Sequence, residues 1–340
     1  MLKKITLFFL LAAAAFVNAA DPDSYQVLWF GDLHYDEPVF HDQTKFKYSP
    51  QQLKNFRHYS KIWEEFTPPM MKVAKGDFLK NSQFVIQTGD WIQGDASSEV
   101  EKAAQMKKAI EVVTAGINVP FYPVRGNHDA RGKGGIAGYK EVILPFINKQ
   151  VNQEVNSLNY RVVYGKDLYL FIDSLDVDYT WIEKNLAESS KYRWTFIVAH
   201  YPLIPPVTTT RWKFGGKRGN VKKLLDLFIA NNVILICGDA HEFEYVQYEK
   251  DGKKFTQLMA NSVMPTKWND TGFGKADVVK KLREREKDAK IFMENVVEYR
   301  AWAGAGFAIL RVDDNSVTVD FYARKGYEKP KFSQVVRSKK

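Results

Sequence analysis

Residues 25–34 read Tyr25-Gln26-Val27-Leu28-Trp29-Phe30-Gly31-Asp32-Leu33-His34, a short apolar run that stops on Asp-x-His. A run of this length, closed by glycine and charge, predicts a buried strand over Tyr25–Gly31. The same punctuation recurs downstream. Gly89-Asp90 follows the apolar run Phe84–Thr88, and Gly126-Asn127-His128-Asp129 follows Pro120–Val124. Ala199-His200-Tyr201-Pro202 closes a strand predicted over Trp194–Ala199, and Gly238-Asp239-Ala240-His241 follows Val233–Cys237. All five fragments stand at the C-terminal mouths of predicted strands, where open α/β sheets place their ligands.

Helical patterns separate these strands: Gln51–Lys75 broken at Pro68-Pro69, Ser97–Ala115, Tyr139–Asn148, Trp181–Ser189 and Val221–Asn231. Ser98 is a predicted N-cap, with Glu101 three residues on to complete a capping box. Leu158–Val163 and Leu168–Ser174 pair as a hairpin across Gly165-Lys166-Asp167. Past Cys237 the pattern turns to hairpins, Phe243–Tyr248 with Phe255–Met259 and Phe307–Val312 with Val317–Ala323, and a highly charged helix is predicted over Ala276–Tyr299. Alternating strands and helices followed by hairpins, with no Pro/Ser-rich linker and no repeat, predict an α/β fold. The simplest account is a single domain over residues 20–335 with a helical insertion near 270–300.

The ends of the chain read differently. Lys3 and Lys4 precede the apolar run Ile5–Val17, which ends in Val17-Asn18-Ala19. That is the form of a signal peptide over residues 1–19, and it predicts export to the periplasm or the cell exterior. The run is too short for a stable membrane span. Arg337-Ser338-Lys339-Lys340 is predicted to be a solvated tail. The lone Cys237 excludes an intrachain disulfide and is expected to be a buried, inert thiol. A hydrophobic content of 45% excludes a disordered chain. The net charge of +9 favours anionic partners. Its basic residues are spread widely with no nucleic-acid-binding motif, so a nucleic-acid duplex is not an expected partner. A monomer is expected.

The five fragments concentrate ligand chemistry. Four of the six histidines fall in them, together with four aspartates and one asparagine. Carboxylate, imidazole and amide oxygen suit divalent ions such as zinc, manganese and iron. In Asp-x-His at a strand end both side chains point to one side of the sheet, because side chains alternate with period two. The glycines before Asp32, Asp90, Asn127 and Asp239 are expected to let the chain turn sharply there. His41 and His58 lie outside the pattern and are read as ordinary histidines.

The order Asp-x-His, Gly-Asp, Gly-Asn-His-Asp, His, Gly-x-x-His resembles the calcineurin-like metallophosphoesterase superfamily over about residues 26–248. Trp181–Val246 is further similar to tartrate-resistant acid phosphatases, in Trp181-Ile182-Glu183-Lys184-Asn185-Leu186, Ala199-His200-Tyr201-Pro202 and Cys237-Gly238-Asp239-Ala240-His241. The resemblance implies a four-layer α/β/β/α sandwich with two mixed sheets. It implies one metal on Asp32, His34 and His241, a second on Asn127, His200 and Asp239, and Asp90 between them. His128 would face the leaving group as a general acid or hold a phosphoryl oxygen, with Asp129 as its orienting partner. Two cations clamp the oxygens of an anionic ester and lower the pKa of a bound water, which makes a nucleophile at neutral pH.

Two positions depart from the family pattern. The last motif usually begins with histidine, where this chain has Asp239. A third carboxylate beside Asp32 and Asp90 shifts the expected ions toward manganese or iron(II) and away from zinc. Purple acid phosphatases place a tyrosine ligand three residues after the bridging aspartate, where this chain has Gln93, and they lack a histidine at the place of His34. An Fe(III)–tyrosinate centre is therefore not expected, and the ligand set is closer to the cyclic-nucleotide and glycerophosphodiester branch.

The implied substrate is a small phosphorylated molecule, a nucleotide among the options. The stretch 202–219 lies beside His200 and is read as a lid, in which Arg211, Lys213 or Arg218 grips phosphate and Trp212 stacks on a base or sugar. Arg131 is a further candidate for the phosphate. The implied activity is hydrolysis of phosphomonoesters or phosphodiesters. The alternative is a catalytically weak or inactive binding protein on the same fold, made so by Asp239.

Overall fold

The computed structural model describes residues 22–44, 46–205, 214, 218–263, 272–273, 294–302, 304–323 and 326–339, with backbone alone at 218–220 and 272–273. From the N-terminal side the chain forms β1 (Tyr25–Phe30), α1 (Pro50–Glu65), α2 (Thr67–Val73), β2 (Phe84–Gln87), α3 (Glu99–Thr114) and β3 (Phe121–Pro123). Next come α4 (Gly135–Val151), β4 (Tyr160–Tyr164), β5 (Asp167–Phe171), α5 (Tyr179–Leu186), β6 (Thr195–Val198), α6 (Arg218–Ala230) and β7 (Ile234–Cys237). The remainder is β8 (Phe243–Lys250), β9 (Lys253–Met259), β10 (Gly272–Phe273), β11 (Val296–Trp302), β12 (Gly306–Val312), β13 (Ser316–Ala323) and β14 (Phe332–Ser338).

The strands build two mixed sheets, six strands in the order β14-β13-β12-β1-β2-β3 and eight in the order β10-β11-β8-β9-β7-β6-β5-β4. The period-two alternation of side chains sets the layers. Along β5, Tyr169 and Phe171 point to the first sheet, where their rings meet Phe84 and Tyr122 at 5.2 and 5.6 Å between centroids. Leu168 and Leu170 point the other way, into a second core with Leu224, Leu225 and Phe228 of α6 and Ile182 and Leu186 of α5. On the far side of the first sheet, Met70 of α2, Met106 of α3, and Tyr139 and Ile143 of α4 join the central core. The outcome is the expected four-layer α/β/β/α sandwich. Each large apolar side chain so buried stabilises the fold by about 1.5–3 kcal/mol.

Local sequence explains the helix ends. Ser98 Oγ accepts from the Glu101 amide at 3.2 Å, and the capping box with both halves in place is at Ser49 and Gln52. The break between α1 and α2 falls at Phe66, and Pro68 follows in the first turn of α2, where a missing N–H costs nothing.

Two expectations are corrected. The helix predicted over Ala276–Tyr299 ends otherwise: 296–299 belong to β11, which pairs antiparallel with β8. After an irregularity at Val297 its side chains alternate between half-buried and buried, so the β-branched and aromatic residues at this end take the period of a strand. The rest of that stretch, and with it most of the insertion near 270–300, lies outside the described residues, as does the signal peptide expected over 1–19. The C-terminal run is not a solvated tail at Arg337. That side chain is buried in β14 and donates to Thr256 Oγ1 at 2.9 Å and to the carbonyl of Lys254 at 3.2 Å. Among the described residues no helix is long and apolar enough to cross a membrane.

Candidate metal centre

The strands β1, β2 and β3 run parallel, as do β5, β6 and β7, so each sheet opens its C-terminal ends along one edge. The two edges meet where Asp32 pairs with Asn261. Gly31 is required at that meeting for space: a Cβ there would lie 2.1 Å from the carbonyl oxygen of Ala260. Of the four glycines predicted to turn the chain, Gly89 alone has a positive φ, 93°. Gly126 serves close approach, since its Cβ would fall 2.1 Å from Asp90 Oδ1. The turning is done instead by four site residues, His34, Asp90, Asp239 and His241, at φ of 47°, 54°, 77° and 55°. Non-glycine residues in this region are strained by about 1–3 kcal/mol each and collect at functional sites.

Two sets of donors converge there. His34 donates through Nδ1 to Gln93 Oε1 at 2.9 Å, which turns Nε2 inward to 3.0 Å from His241 Nε2 and 3.4 Å from Asp90 Oδ2. Asp32 Oδ1 lies 4.0 Å from His241 Nε2. One ligand atom from each of Asp32, His34, Asp90 and His241 falls within 4.8 Å of all the others. The second set surrounds His200. Its Nδ1 donates to the Thr88 carbonyl at 2.8 Å. Its Nε2 then faces Asn127 Oδ1 at 3.1 Å, Asp90 Oδ2 at 3.6 Å and Asp239 Oδ1 at 3.7 Å. Asp90 Oδ2 is common to both sets.

This geometry fits cations. Bonds of about 2.0–2.2 Å to one ion leave its donor atoms about 3–4 Å apart. Two imidazole nitrogens 3.0 Å apart need a proton or a cation between them. The protein alone also leaves the charges unbalanced. Burial, reinforced by the carboxylates Asp90 and Asp239, pushes the Asp32 carboxyl well above its ordinary range against the pull of His200. Burial and the nearby Asp129 do the same to Asp90. Burial, then His128 and His241, hold the His34 imidazole well below its usual value. A bound positive ion would let these carboxyls ionise, and an imidazole held neutral keeps a lone pair to offer it.

The residues expected beside the metals are placed as follows. His128 is half-buried, and its Nδ1 donates to the Gln93 carbonyl at 2.8 Å. Its Nε2 accepts from Arg131 Nη1 at 3.1 Å, and Arg131 is held in turn by Asp95 at 2.6 Å. Burial, then the Arg131 charge, keep His128 well below its ordinary pKa, so it is neutral before an anion arrives. Asp129 does not orient His128. Its buried carboxylate accepts from the backbone amides of Asp90 (3.0 Å), Gly126 (2.7 Å) and Ile92 (3.3 Å), so it clamps the loop that carries Asp90. Arg211, Trp212 and Lys213 lie outside the described residues, and only the backbone of Arg218 is described.

Three contributors were not legible as site residues. Gln93 holds two histidines. Lys102 of α3, fully buried, donates to the carbonyls of Arg131 at 2.7 Å and His128 at 3.4 Å. Tyr59 of α1 stacks on His34 with centroids 4.5 Å apart and planes at 19°. For Tyr59 and Lys102 a helical surface pattern carries no sign of what the helix packs against; for Gln93 the spacing from Asp90 was the available signal.

A family model for the calcineurin-like phosphoesterases matches residues 25–243, from the first residue of β1 to the first of β8 and across every donor described above. The chain belongs to this family. No curated protein matches it. Among solved structures, this calcineurin-like phosphoesterase resembles GAP50, the anchor in the inner membrane complex of Plasmodium (TM-score 0.57, 14% identity, 94% of this chain and 90% of that one). It also resembles the purple acid phosphatase PPD1 of yellow lupin (TM-score 0.55, 14% identity, 90% of this chain, 52% of that one). A dimetal phosphatase from Danio rerio is similar as well (TM-score 0.51, 12% identity, 87% and 95%). Likeness at these identities shows the fold. Membership of the family and the Asp/His cluster together mark a dinuclear divalent metal site.

Proposed function

We propose that the protein is an exported phosphoesterase that hydrolyses phosphomonoesters or phosphodiesters of small molecules, nucleotides among them, with two ions drawn from manganese, iron and zinc. The observation that carries this reading is the position of Asp90 Oδ2, 3.4 Å from His34 Nε2 and 3.6 Å from His200 Nε2, shared by two donor sets. Asp32, His34 and His241 would hold one ion with Asp90, and Asn127, His200 and Asp239 the other. When bound, the ions neutralise the ester and acidify water. The remaining work falls to side chains. Arg131 is held by Asp95 with its guanidinium beside His128, where it can grip a phosphoryl oxygen. An anionic group there raises the pKa of His128, which then carries a proton on Nε2 for the departing oxygen. Export rests on the basic and apolar segment Lys3–Ala19.

The test strips the protein with chelator, restores manganese, iron(II) or zinc, and assays a chromogenic monoester and a diester. Turnover is expected with at least one ion, and His128→Ala should keep the ions and lose about 10²–10⁴ in rate. A second reading, a binding protein on the same fold, is favoured by Asp239 at a place the family gives to histidine and by the likeness to an anchor protein. No turnover with any ion would decide for it.

A further inference from the structure

Gln93 is fully buried and is hydrogen-bonded to two histidines of the site, His34 and His128. It serves them through different atoms. Its side-chain Oε1 accepts from His34 Nδ1 at 2.9 Å, and its main-chain carbonyl accepts from His128 Nδ1 at 2.8 Å. The rings of His34 and His128 stand edge to face, 4.4 Å between centroids. The backbone on either side is fixed: the Gln93 amide donates to the Tyr35 carbonyl at 3.0 Å, and the Ile92 amide donates to Asp129 Oδ1 at 3.3 Å. A neutral imidazole has one N–H, and an acceptor at Nδ1 settles that Nε2 keeps its lone pair. A metal-binding histidine depends on such an acceptor, and loss of that acceptor typically weakens metal binding about 10–100-fold.

We infer that Gln93 is a positioning residue that sets the tautomers of both histidines: its side chain makes His34 a metal ligand through Nε2, and its main chain directs His128 Nε2 to the substrate side. The inference rests on the metal reading of the site and adds a division of labour within one residue. Replacing the side chain disturbs His34 and leaves the carbonyl on His128 in place.

The experiment compares the wild type with Gln93→Leu and Gln93→Glu in the full chain. Imidazole nitrogen shifts of the metal-free protein, read by long-range 1H–15N NMR, should show Nδ1–H on both His34 and His128 in the wild type. In Gln93→Leu the His34 tautomer should become mixed while His128 keeps Nδ1–H. Manganese affinity, read from the free-ion EPR signal, should fall about 10–100-fold in Gln93→Leu and return in Gln93→Glu, whose carboxylate accepts the same proton. Unchanged manganese affinity in Gln93→Leu, or both histidines losing their tautomer together, would overturn the inference. A wild type that binds manganese and turns over no ester with manganese, iron(II) or zinc refutes the phosphoesterase reading alone; a wild type that binds none of the three ions refutes both.

Discussion

In the proposed two-ion site, Asp239 is the residue on which the identity of the second ion would turn. Its Oδ1 lies 3.7 Å from His200 Nε2, inside the donor set that Asp90 shares. Its amide donates to both oxygens of Asp32 at 3.2 Å, so the backbone at this position is tied to the first donor set whatever the side chain does. A substitution there changes the donor and leaves the tether. With Asp239 the site holds three carboxylates; with Asp239→His it holds two, and a softer nitrogen replaces a hard oxygen. The expected outcome is a shift of metal preference toward zinc, about tenfold in the zinc-to-manganese affinity ratio, or about 1.4 kcal/mol, measured by competition titration of the stripped protein. A ratio that does not move would show that the Asp239 side chain is not a ligand. Residue chemistry of this kind is what a linear sequence displays well: Asp32, His34, Asp90, Asn127, His200, Asp239 and His241 announce themselves by type and by their place after apolar runs. Asp129 shows the limit. Its type suggested a partner for a histidine, yet its three amide donors belong to Asp90, Gly126 and Ile92, and backbone donors leave no trace in residue identity.

At the scale of elements, strands with a fully apolar core face were legible and those depending on a partner were not. β2 and β6 are buried on both faces and read directly from their apolar runs. β11 and β14 alternate or lie at the sheet margin, and their charged residues resembled a helix and a tail. The helices were found, but not what they do for the site. α3 is the clearest case. Its Lys102 reaches the carbonyls of His128 and Arg131, so the helix holds the loop between β3 and α4. Burial drops the Lys102 pKa from 10.5 to about 8, against the pull of Asp129 and Asp95 and with a smaller push from Arg131. The folded state therefore binds fewer protons than the unfolded chain between those two values, and stability rises with pH across that window, by up to about 1.4 kcal/mol per pH unit. The cost of keeping Lys102 charged is present in full below pH 8 and gone above pH 10.5. Urea unfolding from pH 7 to 10.5 should show this rise in the wild type and a flatter profile in Lys102→Met. Parallel profiles would exclude Lys102 as its source.

For the whole molecule, the candidate centre lies where two sheets meet, and each supplies part of it. Asp32, His34, Asp90 and Asn127 follow strands of the six-stranded sheet, whereas His200, Asp239 and His241 follow strands of the eight-stranded one. Protein contacts already span this seam: Arg125, just past β3, pairs with Asp173, just past β5, at 2.7 Å. An ion held by both sheets adds a cross-link that the unfolded chain does not offer, since its ligands Asp32 and His241 are then 209 residues apart in sequence. Binding to the folded state alone stabilises it by mass action, about 2.7 kcal/mol at a hundredfold excess over Kd. For a domain of this size that corresponds to a rise in Tm of about 4 °C. Thermal unfolding of the stripped protein with and without manganese should show this rise. In His34→Ala and His200→Ala, one ligand from each sheet, most of it should disappear. If the rise survived undiminished in both variants, neither histidine would hold an ion, and the seam would owe its strength to side-chain contacts such as Arg125 with Asp173.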